Sequence, residues 1–327
     1  MGSKLSQLFP PAAKFTEKQL PDQSDKVRSV TAVFLITGAS TGLGFELARL
    51  LYIKGAKIHI AARSESNGAA AIKRIKSAHP TSKGSLHFHH LDLSDLPSVV
   101  SSAKSFLSKE SRLDVLWNNA GVMMPPTESK TNQGYELQMG TNCLGPFLFT
   151  KLLTPLLVET AMQSGSSTRV VWVSSSAAEI FGPKGGVDLK ALQSGQESKS
   201  DWRAYGESKA GNVLYAKEFA RRFKDNNVIS TSLDPGNLKT DLQRHLNGLQ
   251  ALIIRLILHP PIKGAYTELF AGLSPDVTLA KSGVVPWGRF SPLRSDIEQA
   301  GLTEEEGGTG NAREFWEWSE KQVEQYL

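Results

Sequence analysis

Between Ala32 and Leu51 the chain has few ways to fold. Ala32-Val33-Phe34-Leu35-Ile36 is an unbroken apolar run, partly β-branched, which is the pattern of a strand buried on both faces of a parallel sheet. It stops at Thr37-Gly38-Ala39-Ser40-Thr41-Gly42-Leu43-Gly44, and a helical pattern begins at once with Phe45-Glu46-Leu47-Ala48-Arg49-Leu50-Leu51. A helix start therefore faces the end of a buried strand. Its unpaired N–H groups and positive dipole end suit a pyrophosphate. The glycines divide the work: a tight turn at Gly38, close backbone approach at Gly42 and close helix–strand packing at Gly44. Ser40, Thr41 and Leu43 complete the loop between them.

The alternation continues along the chain. Lys57–Ala62, Leu86–Leu91, Leu113–Trp117, Arg169–Ser174 and Val228–Leu233 read as further strands, separated by helical patterns at Ala69–Ser77, Leu96–Leu107, Tyr135–Glu159 and Arg203–Phe223. Such alternation predicts an α/β fold, a doubly wound parallel sheet of the Rossmann type with helices on both faces. No linker-like stretch interrupts it, so residues 31–327 read as a single dinucleotide-binding catalytic domain. Residues 1–30 are polar and punctuated by proline, and read as an extended arm over its surface. Beyond Pro235 follow an apolar helix-like stretch at Leu249–Leu258, a short helix at Gly264–Leu273 and a last strand at Gly283–Pro286. Ala312–Tyr326 alternates charged and aromatic residues at helical spacing.

Composition narrows the function. The 37 basic and 32 acidic side chains, net charge +5, are scattered, with no basic run suited to nucleic acid. No apolar run approaches the length of a membrane span, and the opening residues lack the apolar core of a secretory signal. The lone cysteine, Cys143, cannot form an intrachain disulfide and fits a reducing compartment, so a cytoplasmic location is expected. Met1-Gly2-Ser3-Lys4-Leu5-Ser6 also fits the N-myristoylation pattern, which leaves room for peripheral membrane association. His87, His89 and His90 cluster in the third strand, but alternation turns His89 away from its neighbour and no carboxylate or cysteine joins them at ligand spacing. No metal is expected.

Several strand ends carry chemistry. Arg63 closes the second strand, where a carboxylate would bind a ribose 2′-hydroxyl. A guanidinium fork suits a 2′-phosphate instead, so NADP(H) is expected ahead of NAD(H), with Glu65 nearby as a counterweight. Asp92-Leu93 closes the third strand and Asn118-Asn119-Ala120-Gly121 the fourth. Ligands of open α/β sheets bind beyond these carboxyl ends, which brings both motifs beside the glycine turn. Asp92 is placed to accept the adenine amino group, and the asparagines to brace the strands and line the groove. In Tyr205-Gly206-Glu207-Ser208-Lys209, the tyrosine and lysine stand one turn apart on one helix face. An ammonium so placed is expected to lower the phenol's pKa and make it a usable acid or base.

Ser174-Ser175-Ser176 at the fifth strand's end, Asn142 in the helix before it and Pro235-Gly236 after the sixth complete an ordered set. Over roughly residues 31–290 that set resembles the short-chain dehydrogenase/reductases. The closer likeness is to the retinol-dehydrogenase and WW-domain oxidoreductase branch and to related fungal reductases. Tyr135-Glu136-Leu137-Gln138, Thr141-Asn142-Cys143-Leu144-Gly145-Pro146-Phe147 and Arg169-Val170-Val171-Trp172-Val173-Ser174-Ser175 carry it.

The resemblance implies an oxidoreductase that moves hydride between nicotinamide and a carbonyl or alcohol carbon. It implies that Tyr205 transfers the proton, Lys209 binds the nicotinamide ribose, and Ser175 holds the substrate oxygen. It further implies that Asn142 anchors a proton-relaying water, and that Pro235-Gly236-Asn237-Leu238-Lys239-Thr240 cups the carboxamide. The spacing from Ser175 to Tyr205 is about twice that of the family's compact members, so an inserted loop borders the site. Two other readings stand beside this one: a dinucleotide-bound sensor or scaffold, and a dehydratase or epimerase using the same Tyr–Lys pair. The intact Ser175, Tyr205 and Lys209 weigh against the first. Met123-Met124-Pro125-Pro126, Phe181 and Leu249–Leu258 offer apolar surface, so the expected partner is a hydrophobic, medium-sized carbonyl or alcohol. Leu249–Leu258 is expected to belong to a lid over about residues 237–262, and a homodimer is compatible with the sequence.

Overall fold

The computed structural model describes residues 10–23, 31–196, 200–240, 258–279, 281 and 283–327. Among them eight strands form one sheet: β1 Val33–Thr37, β2 Lys57–Ala62, β3 Ser85–His90, β4 Val115–Asn118, β5 Thr168–Val173, β6 Val228–Leu233, β7 Val284–Val285 and β8 Arg289–Phe290. Their order is β3-β2-β1-β4-β5-β6-β7-β8. All pairs are parallel except β7–β8. Parallel neighbours need crossovers, and helices supply them. These are α1 Gly42–Ile53, α2 Glu65–Ala78, α3 Leu96–Leu107, α4 Leu137–Ser164, α5 Ala177–Ile180, α6 Leu189–Gln193, α7 Asp201–Arg222 and α8 Pro261–Leu273, while α9 Ser295–Ala300 and α10 Asn311–Val323 follow the last strand. The order reverses between β1 and β4, and the crevice at that switch point is where such sheets take ligands.

The opening run behaves as its composition requires. All five residues of β1 are buried. Val33 and Leu35 join one core with Trp172, Phe219 and Phe315, whereas Phe34 and Ile36 join the other with Leu47, Trp117 and Leu269. A strand that must be apolar on both faces shows no alternation, and that holds β1 at the centre of the sheet. At the edge, β3 buries only Leu86 and His89. His89 packs against Phe106 and its Nε2 meets the Ser102 hydroxyl at 2.7 Å.

Helix α4 corrects one expectation. Leu137–Ser164 is long and apolar enough by composition to cross a membrane, because its threonines and glycines interrupt but do not cancel its hydropathy. Yet 78% of its most apolar window is buried inside the domain, as befits a core helix. The Glu136 carboxylate starts it by accepting from the Gln138 and Met139 N–H groups, and Gly140–Leu144 forms a π-type turn within it.

Of the first thirty residues, those described run over the α1–β2 side. Phe15 meets Phe270 edge-on at 6.0 Å, Leu20 is buried, and the Gln23 N–H donates to the Lys54 carbonyl at 2.7 Å. The Met1–Ser6 pattern and residues 241–257 of the expected lid lie outside the described residues.

Candidate active site

A groove of about 890 Å³ opens beyond the carboxyl ends of the strands. One end is the glycine turn. Gly38 and Gly42 take the left-handed conformation, with φ of 68° and 59°, which glycine adopts without strain. A Cβ on Gly38 would also come within 2.9 Å of the Ala120 Cα. Helix α1 starts at this turn with no acidic side chain in its first turn and no side-chain cap from Thr41. Its N–H groups and dipole therefore point at the groove uncompensated, which fits an anionic diphosphate. Thr37 locks the turn in place: its hydroxyl accepts from the Asn119 and Ala120 N–H groups at 3.0 and 2.9 Å. The Asn119 side chain returns a bond to the Thr37 carbonyl at 2.6 Å.

Around this turn the groove is lined by Gly38, Ser40, Thr41, Gly42, Leu43, Asp92, Leu93, Asn119, Ala120 and Gly121, and Arg63 stands exposed at its rim. One Asp92 oxygen accepts both the N–H and the hydroxyl of Ser94. Three expected site residues do not line the groove. Gly44 sits behind it, where a Cβ would meet the Asn119 Nδ2 at 2.6 Å. Asn118 is the last residue of β4, and the pleat turns it inward to donate to the Thr150 hydroxyl at 2.8 Å. Asn142 is buried with both ends of its amide used: Oδ1 accepts from the Val122 N–H, and Nδ2 donates to the Val122 carbonyl and the Ser208 hydroxyl.

At the other end, β5 and α7 bring Ser175, Tyr205 and Lys209 together. Ser174 is committed to the core, donating to the Lys209 carbonyl at 2.7 Å. Ser175 lies on the groove wall, where its hydroxyl accepts from the Ala177 N–H at 3.2 Å and stands close enough to the Tyr205 phenol to influence its titration. Tyr205 is buried among Met123 and Ala177. The Lys209 ammonium donates to the Val173 carbonyl at 3.0 Å and lies 5.8 Å from the Tyr205 ring centre. A Cβ on Gly121 would fall 3.1 Å from Asn142 Oδ1 and 3.2 Å from Lys209 Nζ, so this glycine keeps both groups close to the groove floor.

The titration of this trio runs against the sequence expectation for the phenol. Burial pushes the Tyr205 pKa up, with the Ser175 hydroxyl opposing and Asp234 adding to the rise. Burial also lowers Lys209 to about 8. Both follow from a pocket that removes water from charged forms.

Asp234, missed in the sequence, retains some exposed surface, but burial raises its carboxyl's pKa all the same. It accepts from the Gly236 N–H at 3.0 Å. Its place at the end of β6, just before Pro235-Gly236, was the available signal. Pro235, Gly236, Leu238 and Thr240 line the same wall. The chain on either side of residues 241–257 is pinned together, Lys239 N–H to the His259 carbonyl and His259 N–H to the Asn237 carbonyl. Ile180 and Trp202 join Phe181 on the groove wall near Tyr205, as does Thr141, whose buried hydroxyl has no hydrogen-bond partner among the described residues.

A parallel sheet of this order with its groove at the switch point is the architecture of the dinucleotide-binding enzymes. Comparison with known proteins carries this further. The short chain dehydrogenase family model matches residues 32–187. A short-chain dehydrogenase/reductase of Phomopsis amygdali is 49% identical, over 98% of this chain and 96% of its own. The bet4 short-chain dehydrogenase/reductase of Neocamarosporium betae is 43% identical, over 100% and 94%. Among solved structures, an uncharacterised Mycobacterium paratuberculosis protein superposes with a TM-score of 0.66 at 29% identity, over 95% of this chain and 97% of its own. Two more share the fold. A 3-ketoacyl-(acyl-carrier-protein) reductase of Brucella melitensis with NADH gives 0.60 at 22% identity, over 77% and 95%. The Pseudomonas aeruginosa RhlG/NADP complex gives 0.55 at 23% identity, over 90% and 94%. The chain belongs to the short-chain dehydrogenase/reductase family and is an oxidoreductase.

Proposed function

We propose that this protein is an NADP(H)-dependent carbonyl reductase or alcohol dehydrogenase acting on a hydrophobic small molecule, with Tyr205 as its general acid and base. The observation that carries the reading is that Ser175, Tyr205 and Lys209 meet at one end of the groove whose other end is the glycine turn. When bound, the nicotinamide dinucleotide supplies or takes the hydride. Gly38 to Leu43 and the α1 N-terminus hold its pyrophosphate, Asp92 and Leu93 its adenine side, and Arg63 a 2′-phosphate. Asn119, Ala120 and Gly121 border the groove, while Pro235, Gly236, Leu238 and Thr240 hold the carboxamide end. Lys209 binds the ribose, and Asn142, whose two Nδ2 donors are already taken, has only acceptor oxygens left with which to order a water beneath it. The related complexes contain either NADH or NADP, so the preference for NADP(H) rests on Arg63.

Tyr205 donates its proton to the substrate oxygen as charge develops there, and Ser175 hydrogen-bonds the same atom. Burial suits the reductive direction, because a phenol raised in pKa stays protonated through neutral pH. Tyr205→Phe keeps the ring that packs against Met123 and Ala177, so fold and NADPH affinity should survive. Turnover should fall by roughly 10²–10⁴, the usual contribution of a positioned general acid. Near-parental NADPH oxidation by purified Tyr205→Phe protein would refute the assignment.

A further inference from the structure

The stretch between Ser175 and Tyr205 does more than lengthen a loop. It ends α5 with Ile180 and Phe181, which are 63% and 39% exposed at the groove mouth. Large apolar side chains clustered beside a groove offer surface to an apolar occupant. The Phe181 ring lies 4.9 Å from that of Trp202, planes 35° apart, and Trp202 packs in turn on the Met123–Ala177–Tyr205 cluster. These two rings form a wall leading to the Tyr205 hydroxyl. Among the described residues, that end of the groove carries no charged side chain other than Lys209. A flat apolar ring finds stacking surface there, whereas a cationic substituent finds no counter-charge among the described residues.

Two devices hold this wall. The first is close backbone packing, since a Cβ on Gly206 would fall 2.6 Å from the Gly182 nitrogen and 2.8 Å from the Phe181 carbonyl carbon. The second reaches in from far along the chain. Arg294, just before α9, donates Nη1 to the carbonyls of Glu179 and Gly182 at 2.7 and 3.1 Å, and Nη2 to that of Pro183 at 2.6 Å. Its remaining donors go to Asp296, at 2.6 and 2.9 Å. A guanidinium has five N–H donors in a fixed fork, and all five are used. Asp296 also accepts the Gly185 N–H at 2.7 Å. A lysine has no such fork, so this contact sets the turn's shape as well as its charge.

Building on the reductase reading above, we propose that Phe181 and Trp202 select flat aromatic carbonyl substrates, and that Arg294 is the positioning residue that holds the wall. Arg294 touches none of the reacting atoms; it acts through Phe181. The test is a double-mutant cycle with Phe181→Ala and Arg294→Met, using 2-acetylnaphthalene and cyclohexanone as probes. Each single variant should lose roughly tenfold of the preference for the aromatic ketone, through KM, as for other pocket contacts. Cyclohexanone turnover should fall by a smaller factor than 2-acetylnaphthalene turnover in each, and NADPH affinity should hold. The double variant should be no worse than Phe181→Ala alone, because the two residues act as one. Multiplying effects, or equal losses on both ketones, would overturn the proposal.

Hydrogen exchange over residues 177–188 reads the clamp without turnover. It should rise in Arg294→Met and stay at the parental level in Phe181→Ala; unchanged exchange in Arg294→Met also overturns the proposal. If the parent reduces neither ketone, the reductase reading fails separately, and calorimetric binding of 2-acetylnaphthalene then replaces turnover in the cycle. Should Arg294→Met not fold, Asp296→Asn keeps an acceptor for Gly185 while weakening the hold on Arg294. It should shift the preference in the same direction by a smaller factor, and no shift would overturn the proposal.

Discussion

The glycine turn and the aromatic wall are the two ends of one groove, and they are made differently. At the turn, β1, its loop and α1 are continuous in sequence, and recognition is mostly backbone: left-handed glycines, free N–H groups and a helix dipole. At the wall, Met123, Phe181 and the α7 pair Trp202 and Tyr205 come from three separate stretches, and the clamp that fixes Phe181 reaches across 115 residues. A part shared by every dinucleotide can be written locally and kept rigid. A part that must suit one substrate is assembled from distant side chains, where a single change alters selectivity without touching the chemistry.

The largest expected effect separates chemistry from stability. Lys209→Met should cut turnover by roughly 10²–10⁴ and weaken NADPH binding, as loss of a catalytic partner does. The same change should stabilise the fold. A lysine whose pKa drops from 10.5 to about 8 on folding costs about 3 kcal/mol at any pH below about 8, and the cost fades as pH rises towards 10.5. Thermal midpoints at pH 7 and pH 10 check this: the gain should be clear at pH 7 and smaller at pH 10. A lower midpoint at pH 7 would mean that Lys209 is kept for structure.

Next in size is Arg63. If it meets a 2′-phosphate, Arg63→Leu should weaken NADPH by about 1–3 kcal/mol, the range for hydrogen bonds to charged groups, and leave NADH binding unchanged. Equal affinity of the unaltered protein for both cofactors would remove this basis for specificity.

The contrast between the ends also explains what could be read from the chain. The β2 and β6 bounds and those of α3 coincide with the sequence reading, because period and punctuation are local. The glycine turn was legible for the same reason. Asn118 was not, since its direction depends on the phase of the pleat at the strand's last residue. The rise in the Tyr205 pKa was hidden because its cause is burial under Met123 and Ala177, which no i, i+4 spacing reports. Arg294 gave no signal at all. An arginine beside an aspartate two residues on looks like any surface pair until the fold brings Glu179, Gly182 and Pro183 to it.

The smallest effect sharpens that lesson. Asn118→Ala loses the bond to Thr150 and should cost about 1 kcal/mol of stability, the usual net worth of such a bond. Its NADPH affinity should match the parent's by calorimetry. A marked loss of affinity would return Asn118 to the groove.

The central claim is that hydride moves between a nicotinamide and a carbonyl carbon beside Tyr205. A single turnover with NADPH deuterated at nicotinamide C4, on the face that is transferred, and a hydrophobic ketone tests it most directly. The account predicts deuterium bonded to the new carbinol carbon of the alcohol, with none delivered by Tyr205→Phe protein over the same time. Product that lacks the label with either face deuterated, or a Tyr205→Phe protein that delivers it at the parental rate, would contradict the account.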